Sequence, residues 1–539
     1  MNHEPYVNEV LMKFLKRPRL SLVSVLSAGF FAGSFAYDVT VDWGTANSVV
    51  YQTMRGFGAS IAEGGSPGLA GTWIYQMPEP ARTQIMDYLF DSTKGIGLNM
   101  IRTELSYYMQ TEGGAFDITK DNPATAWFIK EASKRGKMTC WPAPWTPPFW
   151  MKTVQTKADG SLDPAHYQDF ANYMSMYIRE MKRVNNIDFA GISIQNEPNF
   201  NPSYGGCLYS GAQLAAYAKV LGPTFARDGV SAKIVLADVN ISAGFSSMCT
   251  AVLNDTAAVK YVGPCAYHIY DGAWPTANYA TLPITKGKEI WETETSNQGG
   301  PWSGFSTDGM DVALGWARQM HACMTVTRAS AWHYFWFMGG GNGGIFGASG
   351  GTYRLTKHFW SLGNWSRFVR PGYKMIACTP NIVNNSSDFV AAFKDPGTGR
   401  FAIIIIDCNA GADPITVHCQ NFSPTKVTPW LTDATHDLAQ VTDIPVTNGA
   451  FTYTSSGQSV VTLVGQVDPT SVAPPAVIAP MERALLTVAS VRNGIMLHVQ
   501  RPGSYQAELL GVDGKHLASW HLIGPCNSLV TTSNIRTGL

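Results

Sequence analysis

Between Arg55 and Phe337 the chain alternates short apolar runs with longer segments of helical spacing, and this alternation constrains the fold more than any other feature. The apolar runs include Leu98–Arg102, Lys137–Trp141, Phe189–Ile194, Lys233–Ala237, Tyr267–Tyr270, Glu289–Thr293 and Ala329–Phe337. Their centres are apolar without strict alternation, as in strands buried on both faces, and their ends turn polar. Segments such as Ala81–Phe90, Ala126–Arg135, Ala212–Arg227 and Met310–Thr325 space their apolar residues for one face of a helix. Asp163-Pro164 is a helix start, followed by an apolar face of Phe170, Met174, Tyr177 and Met181. Strands and helices in strict alternation build a parallel sheet. The ~280 residues involved match the ~250 of an eightfold barrel. The fold class read from the chain is therefore α/β, a (β/α)8 TIM barrel. No G-x-G-x-x-G follows an early strand, which argues against a dinucleotide fold.

A chain of 539 residues exceeds one ordinary domain. Residues 1–36 have the pattern of an export signal, with a basic start (Lys13, Lys16, Arg17, Arg19), an apolar Leu20–Phe31 and Ser34-Phe35-Ala36 before Tyr37. Residues 37–55 alternate like a half-buried strand that joins a later β domain, and 56–370 form the barrel. From 371 to 467 short strands separated by Gly, Pro, Asn and Asp turns indicate an attached β-sandwich side domain. Residues 468–480 are a Pro-rich linker. Residues 481–539 form a short C-terminal β segment with an Asp513-Gly514 turn; its Gly511-Val512-Asp513-Gly514-Lys515 resembles bacterial outer-membrane secretion-sorting domains, with a carbohydrate-binding appendage as the alternative.

Lysine plus arginine equals aspartate plus glutamate at 39 each, so the chain has no basic footprint for nucleic acid or anionic lipid. Charged residues are 14% and aromatics 12%, a balance that suits a neutral polymer. The mature chain should carry no membrane span and act as a monomer, secreted or held at the cell surface. The nine cysteines lack zinc spacing; Cys408–Cys419 and Cys207–Cys249 are conceivable disulfides. No metal and no cofactor is expected. Gly339–Gly344 lacks the Gly-Lys-Ser/Thr of a phosphate loop.

Gln195-Asn196-Glu197-Pro198 ends one apolar run, because proline cannot continue a sheet ladder. Trp291-Glu292-Thr293-Glu294-Thr295 ends another. Hydrolysis of a glycosidic bond needs two carboxyl groups across it. Glu197 and Glu294 stand 97 positions apart, about three barrel units of ~31 residues, which would set them on strands four and seven. Glu292 rivals Glu294, since residues two apart on a regular strand share a face. Trp141, Trp145, Phe149 and Trp150 cluster in one stretch, and Trp332, Tyr334 and Trp336 on one strand. Aromatic faces there either pack the core or stack on sugar rings, with Trp145 and Trp336 as the candidates for stacking.

These motifs, in order, resemble glycoside hydrolase family 30. The matching pieces are Gly56-Phe57-Gly58-Ala59, Gly97-Leu98-Asn99-Met100-Ile101-Arg102, Trp145 through Lys152, Gln195 through Pro198, His268-Ile269-Tyr270, Trp291 through Glu294, and Arg354-Leu355-Thr356-Lys357 with Ser366 through Gly372. The resemblance implies Glu197 as acid/base and Glu294 as nucleophile of a retaining enzyme. It also implies Asn196 on the sugar 2-hydroxyl, and Arg102 and Tyr270 orienting Glu294. His268 is either a site residue or a core histidine. Family members that require a glucuronic acid branch carry an arginine after strand eight. Here that stretch reads Phe337-Met338-Gly339-Gly340-Gly341-Asn342, so strict dependence on the branch is not implied. The function expected is a secreted endo-β-1,4-xylanase acting on a plant cell-wall polysaccharide. The alternatives are a β-1,6-galactanase, a β-1,6-glucanase or an exo-acting β-glycosidase; outside that class stands a non-catalytic carbohydrate-binding or adhesion protein.

Overall fold

The computed structural model describes residues 11–13, 37–44, 51–61, 74–270, 272–296, 309–339, 344–349, 352–383, 387–467, 486–491, 494–510 and 516–531. The expected export signal, apart from 11–13, and the linker lie outside the described residues, as do Gly340–Asn342 and the Asp513-Gly514 turn. The chain divides into two units, residues 34–473 and a smaller one made of 1–33 with 474–539.

The larger unit contains eight parallel strands, β1 Gly56–Ser60, β2 Met100–Glu104, β3 Thr139–Ala143, β4 Gly191–Ser193, β5 Lys233–Asn240, β6 Val262–His268, β7 Ile290–Glu294 and β8 Ala329–Gly339. Their order is β3-β2-β1-β8-β7-β6-β5-β4. A parallel bridge between Cys140 and Phe189 carries β3 to the start of β4, nearly closing the barrel. The helices that follow the strands are α1 Ala81–Phe90, α2 Pro123–Ser133, α3 Tyr167–Asn185, α4 Gly211–Arg227, α5 Ser246–Leu253, α6 Ala277–Thr285, α7 Met310–Thr325 and α8 Lys357–Ser366.

Local chemistry sets the helix ends. Asp163 accepts from the Ala165 amide and opens the turn that leads into α3, which buries Phe170, Met174, Tyr177 and Met181 and ends at Asn186 with φ +57°. Ser210 and Gln213 form a reciprocal capping box on α4. Strand six runs 262–268 rather than 267–270, because Gly263 and Pro264 interrupt its apolar pattern in the sequence. Pro142 likewise sits inside β3, and its Ala143 end extends two residues past the expected strand.

Two cores fill the barrel. Helices and sheet share a large outer one, while Met100, Trp141, Trp145, Val235, Ala266, Trp291 and Ala331 occupy the inside. A second, mostly antiparallel sheet joins Tyr37–Asp42 to strands between 374 and 466 over its own core of Val39, Val41, Ile403, Ile405, Val417 and Leu463. Tyr37–Asp42 runs parallel to Pro414–Gln420 and antiparallel to Lys374–Thr379. α8 ties the two together: Asn364 donates to the Trp430 carbonyl (2.8 Å) and the Thr462 hydroxyl donates back to the Asn364 carbonyl.

The smaller unit is an antiparallel sheet in which Gly494–Leu510 pairs with Leu486–Val491 and His516–Thr531, and also with Leu11–Lys13. Neither conceivable disulfide forms: Cys207, Cys249, Cys408 and Cys419 are all free. Cys207 and Cys249 are buried apart, and Cys249 on α5 has Cys265 of β6 as its sulfur neighbour.

Gly58 is a demanding position in β1, since a Cβ there would stand 2.2 Å from the Met100 carbonyl oxygen of the neighbouring strand. Gly58→Ala should therefore cost more than ~2 kcal/mol, seen as a lower urea midpoint; an unchanged midpoint would refute this tight strand contact.

Candidate active site

The barrel mouth is organised by a guanidinium. Arg102, near the carboxyl end of β2, is wholly buried between the rings of Trp141 and Trp145, 5.2 and 4.8 Å from their centroids. Its NH1 donates to Glu294, and its NH2 to Asn196 and, at 3.1 Å, to Asp238. The carboxylates of Asp238 and Glu294 raise its pKa further. Trp145 is thus a wall for Arg102 rather than an exposed sugar platform, because a buried cation without water needs π-faces beside it.

Asp238 escaped the sequence reading. It is fully buried on β5 and accepts from Arg102, from His268 Nε2 (3.0 Å) and from the Thr293 hydroxyl (2.8 Å), while its carbonyl accepts from the Glu197 amide (2.9 Å). Burial opposes its charge, but Arg102 and His268 hold the carboxyl well below the usual range. The available signal was a lone aspartate inside an apolar strand, where an unpaired charge would be prohibitive.

His268 sits beside both glutamates. Its Nδ1 lies 3.0 Å from Glu197 Oε1 and 4.0 Å from Glu294 Oε1. Burial disfavours its cation, but Glu294, Asp238 and Glu197 outweigh that and push it up to about 10. His268 is therefore an imidazolium donating to both Asp238 and Glu197. His333, deeper in the barrel, is driven by burial down to about 4; it stays neutral and accepts from the Trp141 indole at 3.3 Å.

Glu197 and Glu294 face each other, each offering an oxygen within 4.8 Å of the other's and of His268. Glu197 has φ +46°, a left-handed backbone uncommon for a side chain of this size. The Tyr270 hydroxyl donates to Glu294 Oε1 at 2.9 Å. Burial lifts Glu294 above its ordinary value, with His268 and Arg102 pulling back and Glu197 and Asp238 adding repulsion.

Glu292 does not share the face of Glu294. In the β6–β7 register Tyr267 opposes Glu292 but His268 opposes Glu294, so one extra residue is inserted and the alternation breaks. Glu292 ends beside Tyr267 and Cys323 of α7, fully buried, and burial drives its pKa far up. A similar shift on β8 between Tyr334 and Trp336 turns Phe335 into the mouth. Trp336 stacks on Phe335 with centroids 4.3 Å apart, whereas Trp332 and Tyr334 pack in the helix-facing core.

Glu197 and Glu294 open on a cavity of about 390 Å³ whose walls include Tyr270, Phe335, Asn240 and the exposed rim aromatics Phe200 and Tyr204. Tyr204 is near enough to both glutamates that their charge, added to burial, raises its phenol and keeps it a hydrogen-bond donor. No spacing rule marked Phe200, Tyr204 or Phe335, which lie on a loop and at a bulge.

Two buried carboxyl groups on opposite sides of an aromatic-walled cavity at a barrel mouth define a glycoside hydrolase. The family model described as O-Glycosyl hydrolase family 30 matches residues 94–254. Glucuronoxylanase XynC of Bacillus subtilis is 25% identical over 343 residues, which cover 62% of this chain and 75% of that protein. Galactocerebrosidase of Homo sapiens is 26% identical over 369 residues, 65% of this chain but 48% of its own length. The crystal structure of the family 30 subfamily 8 xylanase Xyn30A from Clostridium acetobutylicum shares the fold with a TM-score of 0.67 at 26% identity, covering 80% of this chain and 100% of that one. By sequence and by fold the chain is therefore similar to glycoside hydrolase family 30.

The electrostatics lead to two expectations. Glu294 loses its charge as pH falls through its raised value, so the acidic limb of kcat/KM should lie above the ordinary glutamate value of 4.5; a limb below 4.5 would contradict the burial argument. Asp238→Asn should lower kcat by about 10²-fold and bring the His268 titration, followed by NMR, down from about 10 toward neutrality. An unmoved His268 would show that Asp238 does not hold it charged.

Proposed function

We propose that the protein is a secreted, retaining endo-β-1,4-xylanase working by double displacement. The observation that carries the reading is that Glu197 and Glu294 each offer a carboxyl oxygen within 4.8 Å of the other's, in keeping with the closely set carboxyl pair of retaining enzymes. Glu294 attacks the anomeric carbon as the bond to the leaving oxygen breaks, and Glu197 transfers its proton to that oxygen. Water then gives a proton to Glu197 while its oxygen displaces Glu294 from the anomeric carbon.

The buried charges suit both steps. The basic groups Arg102 and His268 are set among the acidic Asp238, Glu294 and Glu197. When Glu294 becomes an ester and Glu197 a carboxylate, one negative charge has moved a few ångströms and the sum is unchanged. Arg102 and Tyr270 stand beside the first position of that charge and His268 beside the second, so neither state leaves a charge unpaired. Asn196, held by Arg102, is the group for the sugar 2-hydroxyl. Sugar stacking falls to Phe335, Tyr204 and Phe200.

Xylan as substrate is supported by the similarity to XynC and to Xyn30A. The absence of arginine from 337–342 favours activity without a glucuronic acid branch. The matching similarity to galactocerebrosidase supports a second reading, a galactose-directed enzyme on the same site. Secretion is supported by the basic-then-apolar pattern of residues 1–36.

A panel of branched and unbranched xylans, β-1,6-galactan and β-1,6-glucan with product sizing tests the substrate. Unbranched xylan should yield a ladder of oligomers, the first product appearing as the β-anomer by NMR. Glu294→Gln should reduce turnover at least ~10³-fold with an unchanged circular dichroism spectrum. Initial appearance of the α-anomer, or turnover retained in Glu294→Gln, would overturn the mechanism; inactivity on every xylan would overturn the substrate.

A further inference from the structure

Asp388 and Asp407 stand directly opposite each other on adjacent antiparallel strands of the side domain, Asp388–Lys394 and Arg400–Asp407, and both are fully buried. Like charges in that relation destabilise a sheet. The chain then turns through 408–413 and brings back a third carboxylate, half-buried Asp413. One oxygen from each of the three lies within 4.8 Å of the others. Oxygens on opposite sides of a calcium ion, at roughly 2.3–2.6 Å from it, are separated by about 5 Å, so the trio spans the diameter of such an ion.

The second observation is the Asp407 carboxylate. Its Oδ1 accepts from the Asn409 amide at 2.8 Å, but its fully buried Oδ2 has no hydrogen-bond partner. An orphaned anionic oxygen at this depth, beside two other carboxylates, calls for a positive ligand. The Asn409 side chain bridges the cluster, its Nδ2 donating to Asp388 Oδ1 (3.3 Å) and Asp413 Oδ2 (2.5 Å). Amide nitrogen and oxygen are interchangeable by rotation, so the same side chain can present Oδ1 to a cation. All the donors are hard oxygens, which selects calcium over zinc or copper.

We propose that Asp388, Asp407 and Asp413, with Asn409, form a calcium site in the side domain, apart from the catalytic cavity. The ion fastens the 408–413 turn to two central strands and neutralises their facing carboxylates; its role is stability, independent of the substrate reading.

The test uses the full chain, stripped with EDTA and dialysed, with melting followed as CaCl2 or MgCl2 is added. Calcium should raise Tm saturably by at least ~2 °C, with one equivalent retained by elemental analysis. Asp407→Asn should abolish the response, and Asp413→Asn, at the half-buried edge, should weaken it if the first variant fails to fold. No response to calcium in the wild-type chain would overturn the proposal, as would an undiminished response in both variants. Stabilisation by acid alone would overturn it in favour of a proton shared between Asp388 and Asp407.

Discussion

The site depends on the burial of Arg102. A guanidinium with no exposed surface is tolerated only where anions and polarisable faces replace water, and the barrel supplies both. Trp141 and Trp145 flank it, Asp238 and Glu294 pair with it, and Asn196 takes a further donor. Asp238 in turn reaches His268 and Thr293, and His268 reaches Glu197. From one buried cation, pairing leads step by step to both of the facing glutamates. Orientation and charge balance are therefore the same property of this network: a side chain that turned away would leave an opposite charge unpaired at the barrel centre.

Three irregularities near the carboxyl ends of strands aim these groups. On β5, Ala237 and Val239 pair with consecutive residues of β6, leaving Asp238, at φ +52°, as the extra residue. On β7 the extra residue separates Glu292 from Glu294, and on β8 it is Phe335. A regular strand would alternate these side chains strictly between core and helix layer. Each insertion breaks that alternation near the mouth.

Much of this was legible in the chain. Barrel, strand ends and glutamate spacing follow from buried runs that stop at Asn196-Glu197-Pro198 and at Glu294, since solvent begins where apolar side chains end. The rivalry of Glu292 and Glu294 was not resolvable by alternation, because the break in register between them leaves no mark on composition. Trp145 and Trp336 illustrate the same limit. Their aromatic faces were plain from sequence, but whether a face meets a sugar, an arginine or another ring depends on what a distant strand places opposite it.

The sequence by itself determined the α/β alternation, the polar ends of the fourth and seventh strands and the family motifs, all of which rest on local periodicity and residue type. Tertiary structure alone decided that Asp238 links Arg102 to His268, that Glu292 leaves the mouth while Glu294 enters it, and that Phe335 rather than Trp336 lines the cavity. The physical reason is reach. Periodicity reports how a residue faces its own strand or helix, whereas charge pairing and bulge register are settled between β2, β5, β6 and β7, whose partners lie up to 192 positions apart in the chain.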